Sequence, residues 1–287
     1  MPKIQVSGGN NNWYRIDLNI NKAPTLSSFE ITFNHTTIAD LDFQSAADAA
    51  ALQIQENYQG RDLYIGLSGG VDSEFVADVF YRNKIKFTPI VSIIPGLTEY
   101  KYALYWCHKH QITPMVYDLH NNTDLVKVAA YALSRAPRAE FLHVAVGLMV
   151  AAKAIELGGV SLTGEPDLTY KTTAEFNSPI GNMLEMVVED VATEICFSQH
   201  QLPGSFFWYT PELVRAYARE LNTTVNYDIA RSELYQVPYR PKQQQLTPNL
   251  FSTKDLNKLM HIYKFESYSP VEPITWINKD LVNQLNK

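Results

Sequence analysis

The stretch that most constrains this chain is "LYIGLSGGVDSEFVADVF", residues 63–80. An apolar run of strand type ends at Ser68-Gly69-Gly70, and an amphipathic helical pattern restarts at once with Asp72, Ser73 and Glu74 in its first turn. A strand-to-helix turn does not need adjacent glycines. Two of them let backbone N–H groups approach a ligand closely. The helix end that follows supplies unpaired amides and a positive partial charge, which together favour an anion. Ser68 and Ser73 add hydroxyl donors. Asp72 would repel a bare phosphate, so its presence predicts a bridging Mg²⁺. A Walker A loop is excluded because no Gly-Lys-Ser/Thr ending follows, and Gly66, Gly69 and Gly70 do not have dinucleotide-fingerprint spacing. A second Ser-Gly-Gly, at Ser7-Gly8-Gly9, precedes an asparagine run rather than a helix and reads as a terminal turn.

Periodicity places that turn in a larger order. Strands are predicted at 62–67, 86–94, 112–119 and 159–163, and helices at 42–58, 72–83, 98–110, 123–134 and 139–157. Alternation of this kind predicts an α/β fold with a mainly parallel sheet covered by helices on both faces. Ligands of such sheets bind at the carboxyl ends of strands, so the turns after Leu67 and Thr163 are the places to inspect. Before residue 41, "WYRIDLNI" and "SSFEITFN" alternate as half-buried strands around "NKAPTL" and predict a small β hairpin. After residue 170, helices are predicted at 184–200 and 210–222. The segment "YQVPYRPKQQQLTPNLF" reads as irregular and basic, and a short helical stretch and a polar tail follow. The expected divisions are 1–40, 41–235 and 236–287.

The 287 residues carry a net charge of −6, which argues against broad nucleic-acid binding. The apolar stretch 141–157 is short for a membrane span and holds His143 and Lys153, so a buried helix is expected. The first residues, "MPKIQVSGGNNNWYRIDL", lack the apolar core of a signal peptide, so a cytoplasmic location is the expectation. Cys107 and Cys196 have no metal or redox spacing, and Cys107, His108 and His110 do not share a helix face. His143 reads as a core histidine, and the aromatics at 206–209 as core packing rather than a base-stacking platform.

Ser68-Gly69-Gly70-Val71-Asp72-Ser73 resembles the pyrophosphate loop of the N-type ATP pyrophosphatases, the PP-loop superfamily. "GGVSLTGEPDLTYK" (158–171) resembles the second motif of the asparagine synthetase synthetase domain, and the likeness spans about residues 42–171. The resemblance implies an adenine nucleotide alpha hydrolase-like fold that cleaves ATP to AMP and pyrophosphate. A carboxylate or amide oxygen is thereby activated for attack by an amine or ammonia. It implies ATP and Mg²⁺ as cofactors. The nucleotide would contact Leu67, Ser68, Gly69, Gly70, Val71, Asp72, Ser73, Ile93 and Gly164, and Asp72 and Asp167 would hold the metal. Asp72, Glu165 and Lys171 would serve catalysis.

The second motif is one residue shorter than the family's and lacks its final Glu. The chain begins Met1-Pro2-Lys3 without a nucleophilic cysteine, so glutamine hydrolysis is not expected. A small-molecule acceptor is implied as partner, with a homo-oligomer or a separate amine-donating protein left open. Alternatives are a PP-loop enzyme acting on sulfur or a nucleobase, and a non-catalytic nucleotide-binding module. Arg231, Arg240 and Lys242 read first as a solvated basic loop, with a phosphate clamp as the alternative.

Overall fold

A computed structural model describes residues 3–7, 13–20, 26–33, 38–94, 98–119, 142–164, 202–221 and 226–240. Its N-terminal part is an antiparallel sheet of three strands, β1 (Lys3–Ser7), β2 (Tyr14–Ile20) and β3 (Leu26–Phe33), in that order. The expected hairpin is β2–β3, and β1 is the addition. It has only two apolar residues, Ile4 and Val6, which lie opposite Leu18 and Ile16 of β2. Cross-strand pairing supplies what so short a pattern lacks. Ser7 therefore ends a strand, and the glycines after it lie outside the described residues.

The larger sheet is parallel, with strand order β6-β5-β4-β7. Its strands are β4 (Leu63–Gly66), β5 (Thr88–Ile93), β6 (Met115–Asp118) and β7 (Val160–Leu162). The helices are α1 (Phe43–Asn57), α2 (Val71–Arg82), α3 (Tyr100–Lys109), α4 (Leu142–Glu156), α5 (Pro211–Glu220) and α6 (Tyr227–Tyr235). The α/β architecture is as expected, with element ends within a few residues. Predicted helices at 123–134 and 184–200 and the C-terminal tail lie outside the described residues.

Alternation along β4 divides the core. Leu63, Ile65 and Leu67 face one layer with α1, α2 and the aromatic cluster, while Tyr64 faces the other with Ile90, Val150 and Ala154. Both faces are covered, as a parallel sheet requires. Phe43, Phe75, Phe206, Phe207, Tyr217 and Tyr235 interlock in the first layer, with Phe75 to Tyr235 ring centroids 4.6 Å apart. Burying each such ring stabilises the fold by about 1.5–3 kcal/mol. Residues 206–209 are thus core, as their composition suggested. Trp13, ahead of β2, is also buried, stacks on Trp208 and donates its Nε1–H to the Trp208 carbonyl at 2.9 Å.

β4 and β7 are neighbours, while β5 and β6 extend the sheet the other way. The strand order therefore reverses at β4/β7, and the crevice beyond their carboxyl ends is where such sheets bind ligands.

Candidate functional site

The helices differ at their starts. Asp42 caps α1 through Ser45 N–H, Thr210 caps α5 through Leu213 N–H, and Asn226 caps α6 through Asp228 N–H. α2 has Gly70 at this position and no side-chain cap. Among the described residues, no acceptor meets the N–H groups of Gly69 or Val71. α3 also starts without a side-chain cap, but the Gly69 and Val71 amides are the ones that line a cleft.

The two glycines have different reasons. Gly69 has φ +93°, and a Cβ there would lie 2.0 Å from the carbonyl oxygen of Glu99, just ahead of α3. The close approach inferred at this position is made by the protein itself. Gly70 has φ −74°, and a Cβ there would meet only Ser68 Oγ, at 3.3 Å. The serines shape the loop: Ser73 Oγ donates to the Gly70 carbonyl at 3.1 Å and accepts from Ser68 N–H at 3.2 Å. Ser68 Oγ accepts from Gly70 N–H at 3.2 Å and lies 3.0 Å from Ser73 Oγ.

Gly69, Gly70, Val71 and Asp72 line a cleft of about 110 Å³ with Glu99, Tyr102, Asp228, Arg231, Ser232 and Arg240. Small-molecule sites usually measure roughly 300–1,000 Å³, so this cleft matches a phosphate group rather than a whole nucleotide. Leu67, Ser68, Ser73, Ile93 and Gly164 are not part of its lining. Ile93 ends β5, and its carbonyl accepts from Leu119 N–H at 2.9 Å. Gly164 packs on the first turn of α2, where a Cβ would stand 3.0 Å from Ser73 Cα. The two turns singled out in the sequence are therefore adjacent in space. Glu165, Asp167 and Lys171 lie outside the described residues, as do Lys242 and the His143 side chain.

The arginines depart most from expectation. Arg231 is not on a solvated loop. It lies in α6, with its side chain 8% exposed. Its Nη1 donates to both carboxylate oxygens of Asp72, at 2.8 and 2.6 Å, and its Nη2 to Asp228 Oδ1 at 2.5 Å. Arg240 is likewise held: it pairs with Glu74, donates to the Gly69 carbonyl at 2.9 Å and lies over the Tyr102 ring at 4.4 Å. Glu74 is buried, and desolvation raises its pKa, with Arg240 acting against that rise. Asp228 is the carboxylate that the sequence reading missed. Its position in the Asn226-capped turn was a legible helix start, but nothing local ties it to residue 72.

Asp72 is paired with Arg231. Among the described residues, no group of three or more His, Cys, Asp or Glu could hold a metal ion. Asp72 and Asp228 still converge on one cation, and two carboxylates with phosphate oxygens and water are the hard donors that Mg²⁺ takes. The donor set fits Mg²⁺ that arrives with a phosphate.

No family model and no curated protein matches the chain. Among solved structures it is similar to an NH3-dependent NAD synthetase from Campylobacter jejuni in complex with nitrate. That pair has TM-score 0.35 and 14% identity over 81% of this chain and 100% of that one. An NMN synthetase from Francisella tularensis gives 0.38 and 12%, over 80% and 99%. A glutamine-dependent NAD+ synthetase from Acinetobacter baumannii in complex with ADP gives 0.38 and 11%, over 90% and 55%. At such scores the likeness carries no weight for this chain; the α/β fold stands on its own sheet and helices. Among the described residues, no helix is long and apolar enough to cross a membrane.

Proposed function

We propose that the cleft takes the β and γ phosphates of ATP and that the chain is an AMP-forming, adenylating enzyme. One observation carries this reading. The start of α2, which has no side-chain cap and directly follows the carboxyl end of β4, lines one cleft with buried Arg231 and half-buried Arg240. Loop amides of Gly69 and Val71 would hold phosphate oxygens, and Arg240 and Arg231 would offset their charge. Mg²⁺, when bound at Asp72 and Asp228, supplies further charge neutralisation. The cleft is large enough only for the phosphate end, so the adenosine extends outside it, toward the end of β5 at Ile93.

The reaction this reading supports is an adenylation. An oxygen of the acceptor, a carboxylate or amide, bonds to the α phosphorus as the bond from that phosphorus to the bridging oxygen breaks. The electron pair leaves on pyrophosphate, which the loop retains. An amine or ammonia then displaces AMP. The protein contributes positioning and electrostatic stabilisation of the leaving pyrophosphate.

The test incubates the chain with Mg-ATP, ammonium and a panel of carboxylates and amides, and measures AMP and pyrophosphate. Equal amounts of both, abolished by Asp72→Asn, are expected. Absence of ATP binding, or unchanged turnover in Asp72→Asn, would refute the proposal.

A further inference from the structure

Taken around the cleft, charge does not favour a bare phosphate. Two guanidinium groups, Arg231 and Arg240, are already paired with three carboxylates: Asp72, Asp228 and Glu74. A lone anion meets no surplus positive charge. A lone divalent cation fares no better, because Asp72 and Asp228 are bridged by a guanidinium with 8% of its side chain exposed. A charge so shielded from water repels a second cation strongly.

We infer that Arg231 is an interlock, a reading that rests on the phosphate cleft proposed above. It keeps a divalent cation off Asp72 and Asp228 until a phosphate arrives to take the guanidinium. Cation and phosphate then exchange partners in one event. The carboxylates pass from Arg231 to the metal, and Arg231 passes from the carboxylates to the phosphate. Each of these charges is paired before and after, and each pairing is a charge-assisted contact. By linkage, each of the two ligands raises the affinity for the other by the same factor. The site thus selects the metal–phosphate complex over either free component. Arg231 is a positioning and specificity residue here, and its geometry suits the task. The fork of an arginine reaches two carboxylates at once, whereas a lysine presents a single point of charge.

The experiment follows Mn²⁺ alone by electron paramagnetic resonance on the full chain stripped with chelator. Wild type is expected to leave Mn²⁺ free. Arg231→Gln should bind it with an affinity about tenfold or more above wild type. Arg231→Lys should fall between, and adding Asp228→Asn to Arg231→Gln should remove the gain. Equal Mn²⁺ binding by wild type and Arg231→Gln overturns the interlock. So does no binding by Arg231→Gln that is folded by circular dichroism. If Arg231→Gln does not fold, Arg231→Lys decides, and no gain over wild type overturns the inference. Mn²⁺-pyrophosphate binding to wild type tests the underlying reading separately. Its failure removes the phosphate cleft; its success beside equal Mn²⁺ binding by wild type and Arg231→Gln removes only the interlock.

Discussion

Gly69 and Gly70 are neighbours in one loop, yet alanine should do different harm at each. At Gly69 the backbone has φ +93°, and the new methyl would sit 2.0 Å from the Glu99 carbonyl oxygen and 2.7 Å from its carbon. Holding alanine in that conformation costs about 1–3 kcal/mol. The clash is with backbone, which cannot rotate away, and overpacking of this kind adds about 1–3 kcal/mol. The sum, about 2–6 kcal/mol, is a large share of the roughly 5–15 kcal/mol that holds a domain folded. At Gly70, φ is −74° and the nearest atom is a serine hydroxyl 3.3 Å away, which can turn. Gly70→Ala should cost less than about 1 kcal/mol, while its methyl stands in the cleft and weakens binding of Mg-pyrophosphate. Urea unfolding followed by circular dichroism measures the first effect, and calorimetric titration with Mg-pyrophosphate the second. If Gly69→Ala is as stable as Gly70→Ala, the loop is not packed under Glu99 as described. If Gly70→Ala binds like wild type, the ligand does not approach that backbone.

Three other outcomes are expected. Burial raises the Glu74 pKa from its ordinary 4.5, so the protonated form is favoured in the folded state and Glu74's contribution to stability falls as pH rises through that higher value. Glu74→Gln should therefore gain stability relative to wild type from about pH 4.5 upward in a series of urea melts, and a flat difference would contradict this. The Cys107 thiol is buried and its pKa is pushed up to about 11, so in a Cys196→Ser background the native protein should resist iodoacetamide at pH 7.5–8 or so and react only on unfolding. Trp13→Ala should remove a buried ring and the bond to the Trp208 carbonyl, costing about 3–5 kcal/mol and exposing the preceding segment to limited proteolysis.

The strand-loop-helix at 63–82 and the alternation through β7 were legible because their signals are local: periodicity, and glycines in the right place. α6 was not. It has only nine residues, buries Arg231 and Ser232, and ends on Gln236 with φ 59° instead of on a glycine. A buried arginine in so short a helix reads as a solvated one until its partner is known, and Asp72 is 159 residues away. β1 failed for a related reason, since two apolar residues become a strand only against β2. The division of labour between Gly69 and Gly70 was equally hidden, because the Glu99 carbonyl reaches Gly69 through the tertiary fold.

Gly164 leaves no slack between β7 and the first turn of α2. A side chain at 164 would act as a wedge beneath Ser73, whose hydroxyl ties Ser68 to Gly70. A displacement of Gly164 toward α2 would press directly on the cradle.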